Sequence, residues 1–229
     1  MRSLLIASMP FVLTIMTVLD VFFIARMFRQ YKNLNKSLIP LLVGILCIGL
    51  FYDSLILSLG AFLKYGPVFK ALSQLRYILH ATMIPLLLPI CCYTFESSRF
   101  IKPVWVITIL IIVLGFAAGV STNIEPRTVG AISRYAVSDA NPRWVDAVDQ
   151  VLDIVPVFLM MGLGIVIWKK KKNPNLFWAG FFMFLFTMLG IFLGKDPSGD
   201  RTQSLMFYIS MFGESLMVYY LWKFSEKVE

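Results

Sequence analysis

Seven ionisable residues interrupt stretches of this chain that are otherwise apolar: Asp20, Asp53, Arg76, His80, Asp149, Asp153 and Glu214. A charge at the centre of a membrane helix costs about 2.5–3.5 kcal/mol on insertion scales, so such residues are rare and usually mark binding sites or proton paths. Arg76 and His80 are four residues apart, as are Asp149 and Asp153, which puts each pair on one face of a helix. Two carboxylates on one face repel and call for a cation opposite them. Arg76 is the fixed candidate, because a guanidinium stays protonated. The expectation is an Arg76-centred polar cluster holding Asp53, His80, Asp149 and Asp153, with Glu214 beneath it. These six are the candidate residues for binding a substrate or ion, and Asp20 is expected to lie deeper, apart from them.

Three kinds of chemistry fit such a cluster. The leading one is binding and translocation of a small polar solute or ion, with Arg76 ordering the acids and Glu214 and Asp153 exchanging a proton or cation. An intramembrane enzyme acting on lipid would use His80 as its base, with the carboxylates in support. A seven-helix receptor would bind its ligand outside and signal through basic inner loops. Against all three stands plain ionic pairing between helices.

Several chemistries are excluded. The chain has a single histidine, so neither a three-His zinc site nor a two-His haem site can form within it. A hard-cation site built from Asp53, Asp149, Asp153 and Glu214 is opposed by Arg76 in their midst. No Gly-x-Ser-x-Gly elbow, phosphate-binding loop or Cys-x-x-Cys is present. Neither a metal nor a cofactor is expected. Cys47, Cys91 and Cys92 lie in apolar runs and read as small packing residues.

The elements that must position the cluster follow from composition. Of 229 residues, 59% are apolar and 15% charged, and the mean hydropathy is +0.78. Soluble domains have about 45–50% apolar and about 25% charged residues. Soluble, disordered and disulfide-rich secreted classes are thereby excluded. The net charge of +8 then speaks of membrane topology, with the lipid bilayer and not nucleic acid as the partner. Apolar runs near 4–25, 38–63, 71–95, 101–120, 145–168, 175–194 and 203–222 are each long enough to span. They predict an all-α integral membrane fold, a seven-transmembrane-helix bundle forming one domain over 1–229. The first run is too long for a signal peptide and ends in basic residues.

With the N-terminus outside, twelve of the 21 Lys and Arg fall on inner segments and eight outside, Arg76 lying within a span. The inner set holds the tight clusters Arg26, Arg29, Lys32, Lys36 and Lys169 to Lys172, so the positive-inside rule predicts N-out and C-in. Trp168, Tyr219, Tyr220 and Trp222 suit the interfacial aromatic belt. At 1.5 Å rise per residue, Asp53, Arg76, His80, Asp149 and Asp153 fall in the outer half and Glu214 near mid-span. The segment 121–144 is expected to be an external loop without regular structure, acting as a lid or simply mobile. The Asn35-Lys36-Ser37 sequon would lie inside, where no glycan is added.

Weaker patterns complete the reading. Lys32-Asn33-Leu34-Asn35 resembles Lys172-Asn173-Pro174-Asn175, and Gln74 to Ile78 resembles the stretch around Tyr208 and Ile209. Together they suggest a 3+1+3 parallel repeat. Pro85, Pro89 and Pro156 would free carbonyls beside the cluster. Gly115/Gly119 and Gly190/Gly194 are small-residue pairs for close helix contact, and the first could serve a homodimer.

Overall fold

The computed structural model describes residues 2–33, 37–95, 98–194 and 204–227, with only the backbone of Ser98. Asn35 and Lys36 of the sequon, and residue 203 where the last predicted span opens, lie outside the described residues. In chain order the elements are α1 (Arg2–Asn33), α2 (Leu38–Leu59), α3 (Pro67–Met83), a 3-10 turn (Ile84–Leu86) and α4 (Leu87–Thr94). There follow α5 (Ser98–Ser121), β1 (Ile124–Val129), β2 (Ile132–Val137), α6 (Arg143–Lys171), α7 (Asn175–Leu193) and α8 (Met206–Ser225).

Helices dominate because a backbone in hydrocarbon must pair its own N–H and C=O groups. Six helical segments are long and apolar enough to cross a membrane: α1, α2, α3 through α4, α5, α6 and α7. The chain is thus a multi-pass helical membrane protein. Seven spans are expected from the sequence, and composition supports six. The difference is α8, whose 20 residues are made less apolar by Glu214, Lys223 and the tyrosines. It nevertheless packs in the same bundle, on α7 and against α1 and α2.

Neighbours in sequence are neighbours in space. α1 packs on α2, α2 on α3, α3 on α5, α5 on α6, α6 on α7, α7 on α8, and α8 returns to α1. α2 also touches α4 and α8 and forms the inner strut, with 67% of its apolar window buried against 28% in α6 and 22% in α7. The third span breaks at Pro85, which lacks the amide a helix needs and sits in the 3-10 turn. Pro10, Pro103 and Pro156 lie within helices without ending them.

Two expectations change. The segment predicted as an irregular loop folds into an antiparallel hairpin, paired from Ile124↔Val137 to Val129↔Ile132. Gly130 opens its two-residue turn at φ 60°, the glycine-first pattern of a II′ hairpin. Val129 and Ile132 are buried with Met9, Leu13 and Tyr208, and Ile124 and Tyr135 with Ile56 and Phe69. Ser133 N–H donates to the Gly60 carbonyl at 2.8 Å, a closeness that leaves no room for a Cβ at Gly60. The second change concerns Gly115 and Gly119. A Cβ at either would strike α3, at the Ala81 carbonyl and the Ile78 backbone. The close approach that small residues allow is used inside the chain, so the face expected for a homodimer is already occupied.

Candidate functional site

Three helices and the hairpin build the site at one end of the bundle. From α2, Asp53 meets Arg76 of α3, with Nε 2.7 Å from Oδ1 and both side chains about nine-tenths buried (10% and 11% exposed). The contact is an ion pair lacking the alignment of a hydrogen bond. One turn along α3, His80 turns Nδ1 toward Asp53 Oδ2 at 3.9 Å and Nε2 toward Asp153 Oδ1 of α6 at 3.5 Å. The cluster is therefore centred on His80, a correction to the Arg76-centred arrangement. The guanidinium of Arg76 lies over the Tyr77 ring, 4.7 Å from its centroid, and its Nη2 donates to the Tyr77 hydroxyl at 3.2 Å. That hydroxyl in turn donates to the Tyr135 carbonyl of the hairpin at 3.2 Å. Held between α2 and the hairpin, Arg76 leaves His80 to face α6.

A cavity of about 320 Å³ opens between these walls. Asp53, Arg76, Tyr77 and His80 line one side, Asp146, Asp149 and Asp153 of α6 the other, and Val137 of the hairpin borders it. Four carboxylates face one guanidinium and one imidazole, so acid is in surplus. Asp146 accepts from Asn141 Nδ2 at 2.6 Å, close to the N-terminus of α6. Asp149 makes no ion pair among the described residues, and Asp153 is 63% exposed. The spacing of four does put both on the cavity side of α6.

No family model matches the chain, and no curated protein does either. The site's own chemistry carries the functional reading.

Glu214 of α8 is 6% exposed, with Oε2 lacking a hydrogen-bond partner among the described residues. It lines a second cavity, of about 380 Å³, between α6, α7 and α8. His80 and Asp153 line both cavities and form their common wall. A pocket of about 30 Å³ also touches His80, Asp153 and Glu214, a space on the scale of one water molecule. Among the described residues, no three His, Cys, Asp or Glu side chains gather as a metal-holding set.

Asp20 belongs to the cluster after all. It is 2% exposed, accepts from the Ser54 hydroxyl at 2.9 Å through Oδ2, and has no hydrogen-bond partner at Oδ1 among the described residues. Asp53 and Glu214 are both close enough to act on it electrostatically. The reason is helix length: α1 runs from 2 to 33, beyond the predicted 4–25, so Asp20 sits near its middle.

Arg134 of β2 was not among the expected site residues. Its guanidinium carbon stands 3.9 Å from the Phe207 ring centroid, and its Nε is buried without a hydrogen-bond partner among the described residues. Burial, reinforced by the nearby Arg76 charge, pushes it down to about 10. The clue available in the sequence is an arginine between the aromatic and β-branched residues of 132–137. Farther out, Arg127 donates to Glu125 at 2.6 Å and Ser138 donates to it at 2.9 Å. These bonds hold the Glu125 carboxyl below the usual glutamate range.

Proposed function

We propose that the protein binds a small cationic solute in the acid-lined cavity and carries it across the membrane. In this reading all seven helical rods span, with the N-terminus and hairpin outside. The basic clusters Arg26, Arg29, Lys32 and Lys169 to Lys172 lie at helix ends remote from the hairpin, in keeping with the positive-inside rule. One observation supports the reading above others: a 320 Å³ cavity where four carboxylates outnumber the cations and Asp153 is 63% exposed. Its volume is at the small end of ligand pockets. Asp153 and Asp149 meet the solute's charge, and His80 links Asp153 to Asp53. Glu214 and Asp20 continue the chain of ionisable groups toward the bundle centre, where a proton can replace the solute.

Uptake of labelled choline and ethanolamine into proteoliposomes tests this. Robust uptake is expected, reduced about tenfold or more by Asp153→Asn, on the scale of a lost charge-assisted contact. Full uptake by Asp153→Asn together with Glu214→Gln would contradict the proposal.

The enzyme reading is favoured by one observation, the apolar cavity beside His80. Both imidazole nitrogens, however, face carboxylates, which suits a held cation better than a free base. It predicts product from added phospholipid that His80→Ala abolishes.

A further inference from the structure

The acid-lined cavity is joined to an unlike neighbour. Across the wall of His80 and Asp153 lies the 380 Å³ cavity of α6, α7 and α8, most of whose lining is hydrocarbon: Ile154, Val157, Phe158, Met183 and Phe184 among it. Ile154 and Phe158 are more than half exposed, at 53% and 54%, so this groove opens on the flank of the bundle that turns apolar side chains outward. A purely polar solute has no use for such a groove. The carboxylate of Asp153 sits on the boundary between the two spaces, where the charged end of an amphiphile would have to lie.

The other flank of α6 supplies a contrast. A groove of about 300 Å³ there is lined by Pro85, Leu114, Val151 and Val155, and all the described residues of its lining are apolar. Of the polar cavity's lining it shares only Leu152. It lacks an acid at its mouth, whereas the α6–α7 groove has Asp153, His80 and Glu214.

We infer that the cation bound by this site is the head of a single-chain amine amphiphile: the ammonium group lies at Asp149 and Asp153, and the alkyl chain in the groove between α6 and α7. The inference rests on the cation-binding reading of the cavity and narrows its substrate class. Charge complementarity selects the head, because the acid surplus disfavours an anionic one. The apolar wall selects the tail, since each buried methylene strengthens binding about fourfold.

The test is equilibrium binding to the full chain in phosphatidylcholine nanodiscs, with tetramethylammonium and decyltrimethylammonium as probes and empty nanodiscs subtracted. The long-chain cation is expected to bind about a hundredfold more tightly, the effect of about three or four of its methylenes being withdrawn from water by the groove. Thr187→Trp and Met188→Trp, which fill the groove from α7, are each expected to shrink that ratio about tenfold or more. A misfolded variant would instead lose both signals, which is why two are used. Uncharged 1-decanol is expected to displace decyltrimethylammonium at least about tenfold more weakly than dodecyltrimethylammonium does. Equal displacement by decanol, or an unchanged ratio in two variants that still bind tetramethylammonium, overturns the amphiphile. Tetramethylammonium binding with no preference for the longer chain also overturns it while sparing the cation site. If neither cation binds, both the inference and the reading beneath it fail.

Discussion

The two walls of the polar cavity carry the same residue in opposite circumstances. On the α2 wall, Asp53 is 10% exposed and locked to Arg76, while on the α6 wall Asp153 is 63% exposed and, among the described residues, has His80 as its one charged partner. Both face the same imidazole. A carboxylate buried against a fixed cation is part of the frame, and changing it changes the fold. An exposed carboxylate on a helix that turns mostly outward is free to meet something that arrives. The difference separates the residues that hold the site from those that use it.

The sharpest way to break this comparison is to neutralise each acid in turn. Asp53→Asn leaves the Arg76 charge buried without its partner, at an expected cost of about 3–5 kcal/mol, read as a lowered unfolding midpoint in nanodiscs. Asp153→Asn removes an exposed charge and should stay within about 0.5 kcal/mol of the parent. Equal losses in the two variants would erase the distinction between the walls. Adding Arg76→Met to Asp53→Asn is expected to recover most of the loss, since no unpaired charge then remains buried.

Next in size is the seam that fixes the hairpin over the cavity. Gly60→Ala forces a Cβ onto the Ser133 carbonyl and should cost about 1–3 kcal/mol. Faster hydrogen exchange at the Ser133 amide would report the opened seam. A comparable effect, about 1–3 kcal/mol, is expected from Ser54→Ala, which strips Asp20 of the one hydrogen bond it accepts among the described residues. Unchanged thermal unfolding would mean that Asp20 is not held as described.

The smallest effect lies farthest from the walls. The Glu125 carboxyl, held below its ordinary range chiefly by Arg127 and then by Ser138, contributes stability that is present above the unfolded glutamate range. That contribution is lost as pH falls through the lower folded value. Acid below the usual glutamate range should therefore loosen the β1–β2 pairing in the parent and have less effect in Glu125→Gln, as followed by exchange at the Ser138 amide.

Much of this arrangement is legible in the chain itself. Spacing alone puts Arg76 with His80 and Asp149 with Asp153, and apolar run lengths delimit the helices to within a few residues at most ends. Spacing does not say which partner each charge takes. Arg76 is drawn to Asp53 because the Tyr77 hydroxyl and the hairpin hold its guanidinium on that side, a tertiary fact with no local trace. Asp20 is misplaced because the apolar run underestimates α1 at its basic end, where Arg26 to Lys32 continue the helix past the apolar run. The hairpin is hidden by its content: Glu125, Pro126 and Arg127 read as loop residues, and Gly130-Ala131 is a quieter turn signal than Asn-Gly. Arg134 is concealed with it. In α8 the difficulty is reversed, since Glu214 and the tyrosines that make the helix useful at the bundle centre also lower its apolarity.

The most direct test of the central claim, that the α6 acids receive a cation, is tetramethylammonium binding to the protein in nanodiscs, compared with its Asp149→Asn/Asp153→Asn double variant. Saturable binding by the parent, weakened about tenfold or more in a double variant that keeps its unfolding midpoint, is the predicted result. Equal affinity in the two proteins would contradict it, as would an absence of binding to the parent.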